Sequence, residues 1–232
     1  AEATEQRIAI AQRGRARIQV DVRGRSVHAA YAARGINALD YMAELIVALQ
    51  NVPAPTHPLL GRREITCIDI ECAPFPSVST VPNHCRAHFD CRFLPGETRA
   101  SLLEVFNRLT ASWSERPDPP QVTIDYAPVA FTTYIRRHYA DRDYAAAWVT
   151  PIDHPLVQRA LAGLAAAGLE PATTVYQFCT NGSRTAGDLG IPTIGFGVGR
   201  QDVAHTVDEY VDLKDLIDGA RGYYEIFRAV LQ

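Results

Sequence analysis

The 232-residue sequence contains no apolar run long enough to cross a lipid bilayer as a helix. It also lacks an excess of positive charge, because its formal net charge is −3, so we expect neither a nucleic-acid nor a membrane partner. Its opening lacks the charged start and the apolar core of a secretory signal peptide. Hydrophobic residues make up 47% and charged residues 21%, which argues against a disordered chain. These features predict a folded cytoplasmic protein.

Cysteine is scarce: the chain has five cysteines, and no two of them have C-x-x-C spacing. A zinc finger needs closely spaced pairs of cysteine or histidine, so this spacing argues against one. The odd number and the lack of a secretory signal argue against a disulfide framework. We therefore expect small buried thiols in a reducing compartment. The cysteines are Cys67, Cys72, Cys85, Cys91 and Cys179.

Methionine is almost absent, since Met42 is the single one, and the chain opens at Ala1 inside sequence that has the pattern of structured protein. We therefore expect these 232 residues to be the interior of a longer polypeptide. Their length is enough for one large domain or two small ones. The pattern along the chain favours two parts of different character.

The first part is predicted to be a complete small α+β domain. Along residues 16–23, apolar side chains alternate with polar ones, which is typical of a strand with one buried face. The order strand, helix, strand, strand, helix, strand predicts a ferredoxin-like fold, in which two helices cover one face of four antiparallel strands. The strands are predicted over residues 16–23, 64–70, 85–93 and 121–126, and the helices begin at the capping residues Asn37 and Thr98.

The second part follows residues 128–150, which we interpret as an irregular, solvated connector because their dense charges alternate in sign. Asp153 is predicted to cap a helix, and the apolar stretch Ile191–Phe196 is predicted to be a strand. The other predicted elements are a strand at Thr173–Phe178, a short helix at Arg184–Leu189 and a last helix that starts near Asp212. This alternation predicts part of an α/β sheet, with too few strands for a whole domain.

Three glycines lie at the end of the apolar stretch, in the run Gly195-Phe196-Gly197-Val198-Gly199. The dinucleotide fingerprint G-x-G-x-x-G must open directly into a helix, and the nucleotide-phosphate loop ends in Gly-Lys-Ser/Thr. This run has neither property, so we do not expect a nucleotide site. We interpret the glycines as positions where the chain passes close to a ligand or to another backbone.

Several side chains could carry chemistry, although each has a structural alternative. His205 follows the predicted apolar strand at its carboxyl end, where open α/β sheets bind ligands, and neutral imidazole is a common metal ligand. His28 lies in a loop beside two alanines, which leaves its ring accessible. Arg92 can recognise a carboxylate with two prongs, or it can pair with Asp90 on the same face of its strand. Glu2 by itself is a terminal carboxylate.

Short segments spread over nearly the whole chain carry a further pattern. They are Gly14–Val20, Gly24–Ala30, Arg34–Ala38, Val81–Asn83, Phe89–Phe93, Gly96–Thr98, Thr180–Gly182, Gly190–Pro192, Gly195–Gly197 and Ala204–Glu209. In this order and spacing they resemble the dinuclear-zinc aminoacylases and carboxypeptidases, a family that includes succinyl-diaminopimelate desuccinylase and acetylornithine deacetylase. The opening Ala-Glu-Ala-Thr and the Thr-Asn-Gly loop are most similar to the branch of selenium-metabolism hydrolases.

The resemblance implies a division into three segments. Residues 1–13 would end the first segment of a catalytic domain, residues 14–127 would form a lid or dimerisation domain, and residues 128–232 would form the C-terminal segment of the catalytic domain. The implied fold is α/β, with the ferredoxin-like lid inserted in a zinc-exopeptidase-like sheet whose N-terminal part is absent from this chain. The lid implies a homodimer, and the absent part implies that the N-terminal portion of the same protein is a further partner.

The resemblance also implies roles for five side chains. Glu2 matches a ligand of one zinc ion, although its motif is Ala-Glu-Ala-Thr rather than Gly-Glu-Pro-Thr, and His205 matches a ligand of the other zinc ion. His28 matches a lid histidine that reaches into the partner subunit's site and helps to polarise the scissile carbonyl. Arg92 matches a lid arginine that grips the substrate carboxylate, and Asn181 lies in a loop that lines the pocket.

These matches imply a metal-dependent hydrolase of amide bonds in N-acyl amino acids or small peptides, with metal-bound hydroxide as the nucleophile. Two zinc ions are the family's default, and cobalt or manganese also suits histidine and carboxylate ligands. The family's His-x-Asp motif, bridging Asp and Glu-Glu pair would precede residue 1. Because Glu2 and His205 alone cannot hold two metal ions, we expect this chain by itself to be inactive. The alternative is a stand-alone dimerisation or interaction module without catalytic activity.

Overall fold

The computed structural model describes residues 2–232, and the chain forms two compact units. The central unit consists of Arg15–Pro55 and Arg63–Tyr144, and the terminal unit consists of the chain up to Gly14 together with Thr56–Arg62 and Ala145–Gln232. Among the described residues, no helix is both long and apolar enough to cross a membrane.

Residues 2–232 form strands, α-helices and shorter helical turns. The strands are β1 (Ile8–Gln12), β2 (Gly14–Arg23), β3 (Thr56–His57), β4 (Gly61–Arg62), β5 (Glu64–Ala73), β6 (His84–Phe93), β7 (Gln121–Tyr126), β8 (Pro128–Thr132), β9 (His138–Arg142), β10 (Tyr144–Ala145), β11 (Trp148–Val149) and β12 (Thr173–Tyr176). The α-helices are α1 (Ala38–Gln50), α2 (Arg99–Thr110), α3 (Pro155–Ala166) and α4 (Leu213–Leu231), and shorter helical turns cover Ala29–Arg34, Ala111–Glu115 and Ser183–Asp188.

A five-stranded sheet forms the central unit. Strand β2 lies beside β6, and β5 follows β6 at one edge, while β7 and the short β10 pair with the other side of β2. Strands β2 and β7 are antiparallel, with Ile18 opposite Tyr126, and so are β5 and β6, with Cys72 opposite Cys85. Helix α1 connects β2 to β5, and α2 connects β6 to β7. The order β7-β2-β6-β5 is that of the predicted ferredoxin-like fold, which is thereby confirmed.

Strict alternation along β2 and β6 determines which face of this sheet is buried. Every second side chain of these strands is buried on the face that carries the helices, where Phe89 of β6 packs edge-to-face against Phe106 of α2, with ring centroids 5.2 Å apart. Burial of each such large apolar side chain contributes roughly 1.5–3 kcal/mol. The other face carries charged side chains that pair with each other, as Arg86 does with Asp21 at 2.9 Å.

Both helices of the central unit begin at the predicted capping residues. The side chain of Asn37 accepts a hydrogen bond from the backbone N–H of Leu39 at 3.1 Å. Thr98 and Ser101 form a reciprocal capping box, in which each side chain accepts from the other's backbone N–H. These bonds satisfy N–H groups that the first helical turn leaves without an internal partner.

The predicted connector differs from the structure. Its first half is a regular antiparallel hairpin of β8 and β9, with Pro128 opposite Arg142 and Thr132 opposite His138. The hairpin is followed by Asp143, whose carboxylate pairs with Arg15 at 2.6 Å. The alternating charges that suggested a loop lie on a ribbon with both faces exposed to solvent. The central unit therefore includes this hairpin and extends to Tyr144.

A three-stranded sheet forms the centre of the terminal unit, with β1 between antiparallel β11 and parallel β12. All five residues of β1 are buried, as expected for a strand that is covered on both faces. Ile8 and Ile10 pack with α3 and α4 on one side, and Ala9 packs with Trp148 and Tyr176 on the other.

Two local predictions for this unit are wrong. The cap of α3 is His154 rather than Asp153, because the Nδ1 atom of His154 accepts from the N–H of Leu156 at 3.1 Å and leaves Pro155 in the first turn. Ile191–Phe196 is not a strand among the described residues, since only Gly195 forms a bridge, to Ala9. The short helix predicted at Arg184–Leu189 is present over Ser183–Asp188, as a π-helical turn.

Helix α4 is apolar on two faces. On one face, Gly222 allows close contact with the ring of Phe196, and Ile226 is buried in the core of the unit. The second face forms a stripe of exposed apolar side chains at helical spacing, which we call the α4 stripe. The α4 stripe consists of Leu213, Leu216, Ile217, Tyr224, Phe227 and Leu231.

Candidate active site

A pocket of about 340 Å³ opens in the terminal unit beside the last residue of β12. Glu2 and Asn181, two of the five predicted site residues, line it together. Aromatic side chains from three elements form much of the remaining wall. The other lining residues are Trp148, Tyr176, Thr180, Gly182, Thr193, Ile194, Gly195, Phe196, Tyr223, Ile226 and Phe227. An apolar cavity with a few polar groups is the usual form of a small-molecule site.

Two glycines allow the chain to approach the walls of this pocket. A Cβ atom on Gly195 would lie 2.2 Å from the hydroxyl oxygen of Tyr176, and one on Gly197 would lie 2.2 Å from the carbonyl oxygen of Glu2. No side chain fits at such distances, so a larger residue would displace these walls. The spacing of the glycines therefore reflects close packing of an aromatic ring and of a backbone segment.

Thr4 fixes the segment that carries Glu2. The Oγ1 atom of Thr4 donates to the carbonyl of Gly197 and accepts from its N–H, both at 2.9 Å, and Thr4 is fully buried. The backbone N–H of Gln6 donates to the same carbonyl at 3.0 Å. Glu2 itself is exposed at the pocket wall. The threonine of the opening motif thus positions the carboxylate that precedes it.

Tyr176 adds a neutral hydroxyl to the wall beside Glu2. Burial, followed by the negative charge of Glu2, raises the pKa of Tyr176 above its usual range. Burial also raises the pKa of Tyr223, whose hydroxyl donates to the carbonyl of Phe196 at 2.5 Å. Both phenols therefore keep their protons at neutral pH. The pocket therefore combines one carboxylate with neutral hydrogen-bonding groups.

Gln12, which the sequence analysis did not single out, anchors the loop of Asn181. Its side chain is fully buried, and its Oε1 atom accepts from the N–H of Thr180 at 2.8 Å and from the Thr180 hydroxyl at 2.6 Å. Its Nε2 atom donates to the hydroxyl of Ser183 at 2.7 Å. A glutamine that ends the apolar run Ile8–Ala11 was the available signal, because a buried amide needs partners.

His205 lies in the same unit, but it is not among the described residues that line the pocket. It is exposed, its φ is +62°, and its backbone N–H donates to the Oε2 atom of Glu209 at 2.9 Å. Asp208 also has a positive φ, of +63°. A left-handed conformation at two non-glycine residues is unusual and marks a tight turn. The structure thus brings Glu2 and Asn181 together, but not His205.

His28 lies in the central unit, at the start of the helical turn Ala29–Arg34. Its Nδ1 atom accepts a hydrogen bond from the backbone N–H of Ala30 at 3.1 Å, and its ring is exposed. An Nδ1 atom that accepts leaves the proton of the neutral ring on Nε2. The neutral ring of His28 therefore presents its Nε2–H donor to solvent.

Arg92 pairs with Asp90, which is the structural alternative that the sequence left open. Its Nε atom donates to Asp90 at 2.7 Å, and its side chain is about one-third exposed. The same strand contains the triplet His88-Phe89-Asp90, which has His-x-Asp spacing. His88 contacts Asp69 at 2.7 Å. Both polar members of the triplet are thus engaged by the polar face of the sheet.

The donor set of this chain does not complete a metal centre. Glu2 offers a carboxylate and His205 an imidazole, both of which are suitable zinc ligands, but zinc takes four ligands. Within residues 2–232, no group of three His, Cys, Asp or Glu side chains could hold a metal ion. A metal centre that used Glu2 or His205 would therefore need ligands from outside this chain.

Comparison with known proteins agrees with the fold. Residues 10–112 match the family model described as peptidase dimerisation domain. The uncharacterised protein YgeY of Escherichia coli (strain K12) is 30% identical over 230 residues, which are 97% of this chain and 55% of that protein. Acetylornithine deacetylase of Yersinia pestis is 25% identical over 214 residues, which are 88% of this chain and 48% of that enzyme. The chain spans about half the length of these relatives.

Solved structures share the fold at low sequence identity. A tripeptidase from Staphylococcus aureus covers 100% of this chain with 56% of its own, at a TM-score of 0.73 and 17% identity. An M20 family metallo-carboxypeptidase from Sulfolobus solfataricus covers 99% of this chain with 62% of its own, at a TM-score of 0.68 and 13% identity. The chain therefore contains an M20-type peptidase dimerisation domain, is homologous to acetylornithine deacetylase and has the fold of the M20 metallopeptidases.

Proposed function

We propose that the protein containing this chain hydrolyses amide bonds in N-acyl amino acids or small peptides, with a divalent metal such as zinc, cobalt or manganese. The main support is the pocket that joins Glu2 to Asn181 in a chain homologous to a deacetylase. Glu2 and His205 each contribute one metal ligand in this proposal, and the other ligands come from the rest of the protein. This chain alone is then inactive.

The pocket itself would orient the substrate. The exposed amide of Asn181 can donate to and accept from a peptide group, and the Gln12 anchor keeps its loop in one conformation. The aromatic wall excludes water and accommodates an apolar part of the substrate. Fixing these groups in advance lowers the entropic cost of reaching the reactive geometry.

His28 would act in the site of a partner copy. Its Nε2–H can donate to the oxygen of the scissile carbonyl, because Nδ1 is held by the N–H of Ala30. A fixed donor of this kind favours the charge that develops on that oxygen. His28→Ala in the complete protein should lower turnover by about 100-fold or more while metal content stays unchanged. Loss of bound metal in this variant would contradict the assigned role.

Arg92 would bind the carboxylate of the substrate, exchanging its contact with Asp90 for the ligand. Arg92→Ala should weaken binding of substrates that bear a carboxylate by roughly 2–5 kcal/mol. Arg86→Ala is the matched control, because Arg86 lies on the same face of β6 and pairs with Asp21. An unchanged preference for carboxylate over amide substrates in Arg92→Ala would exclude this role.

The enzyme proposal is tested on a polypeptide that contains this chain and has the full length of its relatives. Its metal content and its hydrolysis of a panel of N-acyl amino acids and dipeptides are measured together. We expect both bound divalent metal and release of the free amino acid. A longer polypeptide with neither property would leave the alternative function, a dimerisation module without activity.

We also infer that two copies associate through the edge of the central sheet. Strand β5 has no further strand beside it within residues 2–232, and its Ile68 and Ile70 are about half exposed. A ten-residue edge with exposed apolar side chains is a template for another strand. The match to a peptidase dimerisation domain over residues 10–112 supports a second copy as the occupant.

Sedimentation equilibrium tests this interface. Ile70→Lys places a charge on the edge strand and should convert the dimer to a monomer. Phe131→Lys is the matched control, because Phe131 is similarly exposed but lies on the β8–β9 hairpin, and it should leave the dimer intact. A dimer that survives Ile70→Lys, or a wild-type monomer, would exclude the edge strand as the interface.

The α4 stripe would be covered by the remaining part of the same polypeptide. The stripe runs along a nineteen-residue helix, and apolar patches of this kind mark interaction surfaces. The chain accounts for only 55% of YgeY and 48% of the deacetylase, so their remaining length is available for this packing. This proposal makes the terminal unit dependent on residues outside the chain.

A further inference from the structure

Two cysteines lie face to face on neighbouring strands of the central unit. Cys72 of β5 is directly opposite Cys85 of β6, and their Sγ atoms are 3.0 Å apart. A disulfide has an S–S distance of about 2.05 Å and typical Cβ separations of about 3.5–4.5 Å. The sulfurs therefore need to approach by only about 1 Å, which a change of side-chain torsion can supply. No other cysteine pair in the structure is linked by a sulfur–sulfur contact among the described residues.

This pair closes the base of the loop that supports His28. β5 ends at Ala73, one residue after Cys72, and β6 begins at His84, one residue before Cys85. The residues between the strands include Thr80, which forms a bridge with His28. The N–H of Ala29 donates to the carbonyl of Ser79 at 2.8 Å on the same loop. The strand ends that carry the two thiols thus hold the backbone against which His28 is placed.

We propose that Cys72 and Cys85 form a reversible cross-strand disulfide, with a low-molecular-weight disulfide as the oxidant. The proposal is independent of the hydrolase activity, because it concerns only the redox state of the central unit. Its consequence is a covalent tie at the base of the loop that supports His28. The tie closes a short loop and restricts the unfolded chain, which stabilises the connection between β5 and β6.

The order of the reaction follows from exposure. Cys72 is partly exposed, so its thiolate attacks one sulfur of the small disulfide, a mixed disulfide forms, and one small thiol leaves. Cys85 is buried, and burial together with contact to Cys72 raises the pKa of its thiol. It then loses its proton and attacks the Sγ atom of Cys72, which releases the second small thiol. The two cysteines are oxidised, and the small disulfide is reduced to two thiols.

Mass spectrometry tests the proposal on the 232-residue chain. Oxidised glutathione is added to the reduced protein, the remaining thiols are blocked with an alkylating agent, and the protein is digested without reduction. We expect a peptide pair joined through Cys72 and Cys85, and full reversal by dithiothreitol. We also expect the oxidised chain to melt about 5 °C or more above the reduced chain.

Two variants separate this pair from the other thiols. In Cys72→Ser, the linked peptide should be absent and Cys85 should carry no glutathione adduct. Cys67→Ser should form the linked peptide normally. Cys67 is the matched control, because it lies on the same strand but faces Phe89 rather than a cysteine. Cys85→Ala provides a second test if Cys72→Ser does not fold, and it should stop at a mixed disulfide on Cys72. A mixed disulfide without the internal link in the wild type, or a link through Cys67, would overturn the proposal.

Discussion

The central and terminal units differ in how they bury apolar surface. The central unit closes its core with two helices on one face of its sheet, and its helix N-termini are capped by side chains. The terminal unit has a three-stranded sheet and leaves the α4 stripe exposed. The candidate pocket lies in the terminal unit. The difference indicates that the central unit covers its own apolar surface, whereas the terminal unit leaves the surface exposed that our proposal assigns to further residues.

The largest expected effect contrasts one substitution in the two units. Phe106→Ala removes a fully buried ring from the core of the central unit and should lower the free energy of unfolding by about 3–5 kcal/mol. Phe227→Ala removes a ring of the α4 stripe that is 60% exposed, and it should cost less than about 1 kcal/mol in this chain. Urea denaturation followed by circular dichroism measures both. Equal losses would remove the distinction between the units.

A smaller effect is expected at Gln12, the buried amide that anchors the pocket loop in the terminal unit. Gln12→Leu leaves the N–H of Thr180 and the hydroxyl of Ser183 without their present partner, which should cost about 1–3 kcal/mol. Because Trp148 and Gly182 of this loop line the same pocket, the fluorescence of Trp148 should change as well. Gln158→Leu, on the exposed face of α3, is the control; it loses only an exposed hydrogen bond from Nε2 to the carbonyl of Ile152 at 2.7 Å and should cost less than about 0.5 kcal/mol. A neutral Gln12→Leu would show that the loop needs no anchor.

Removal of a helix cap should also affect the two units differently, by about 1 kcal/mol in the free energy of unfolding. Asn37→Ala deletes the capping bond of α1 and should cost about 1 kcal/mol of unfolding free energy. Asp212 occupies the capping position of α4 without a side-chain capping bond in the structure, so Asp212→Ala should cost a few tenths at most. Thermal melting of the two variants in parallel measures the difference. A larger loss for Asp212→Ala would reverse the assignment of which helix is fixed locally.

The smallest predicted effect is the pH dependence of the central unit. Burial raises the pKa of Asp21, but hydrogen bonds from Gln19, His84 and Arg86 outweigh burial, and the net pKa is lowered. Ionised Asp21 therefore stabilises the folded state above its unfolded pKa of about 3.9, and this contribution is lost as the pH falls through the lower folded pKa. Asp21→Asn should flatten the stability profile below pH 4 by about 1 kcal/mol or less. An unchanged acid profile would mean that these bonds do not act on the charge.

The sequence predicted the central unit because its signals are local. Alternation in β2 and β6 and the caps Asn37 and Thr98 act within a few residues, and each appears in the structure as predicted. The terminal unit was less predictable. The apolar stretch Ile191–Phe196 has the composition of a strand, but a strand also needs a neighbour, and only Gly195 has one among the described residues.

The residues of the candidate site also differ in how well the sequence predicted them. Glu2 and Asn181 are far apart in sequence, and only the resemblance to a family suggested that they share a pocket. Gln12 escaped prediction because its importance depends on two loops that meet it only in the folded chain. Sequence spacing also cannot show whether Arg92 is available to a ligand or pairs with Asp90. In the structure it pairs with Asp90.

Hydrogen exchange tests the difference between the units most directly. Amide exchange is measured by mass spectrometry in this chain and in the longer polypeptide that contains it. We predict that the amides of the central unit exchange equally in both, whereas α4 and the segment 191–196 become markedly more protected in the longer polypeptide. Equal exchange of α4 in the two proteins would contradict the account, because the α4 stripe would then have no partner in the rest of the chain.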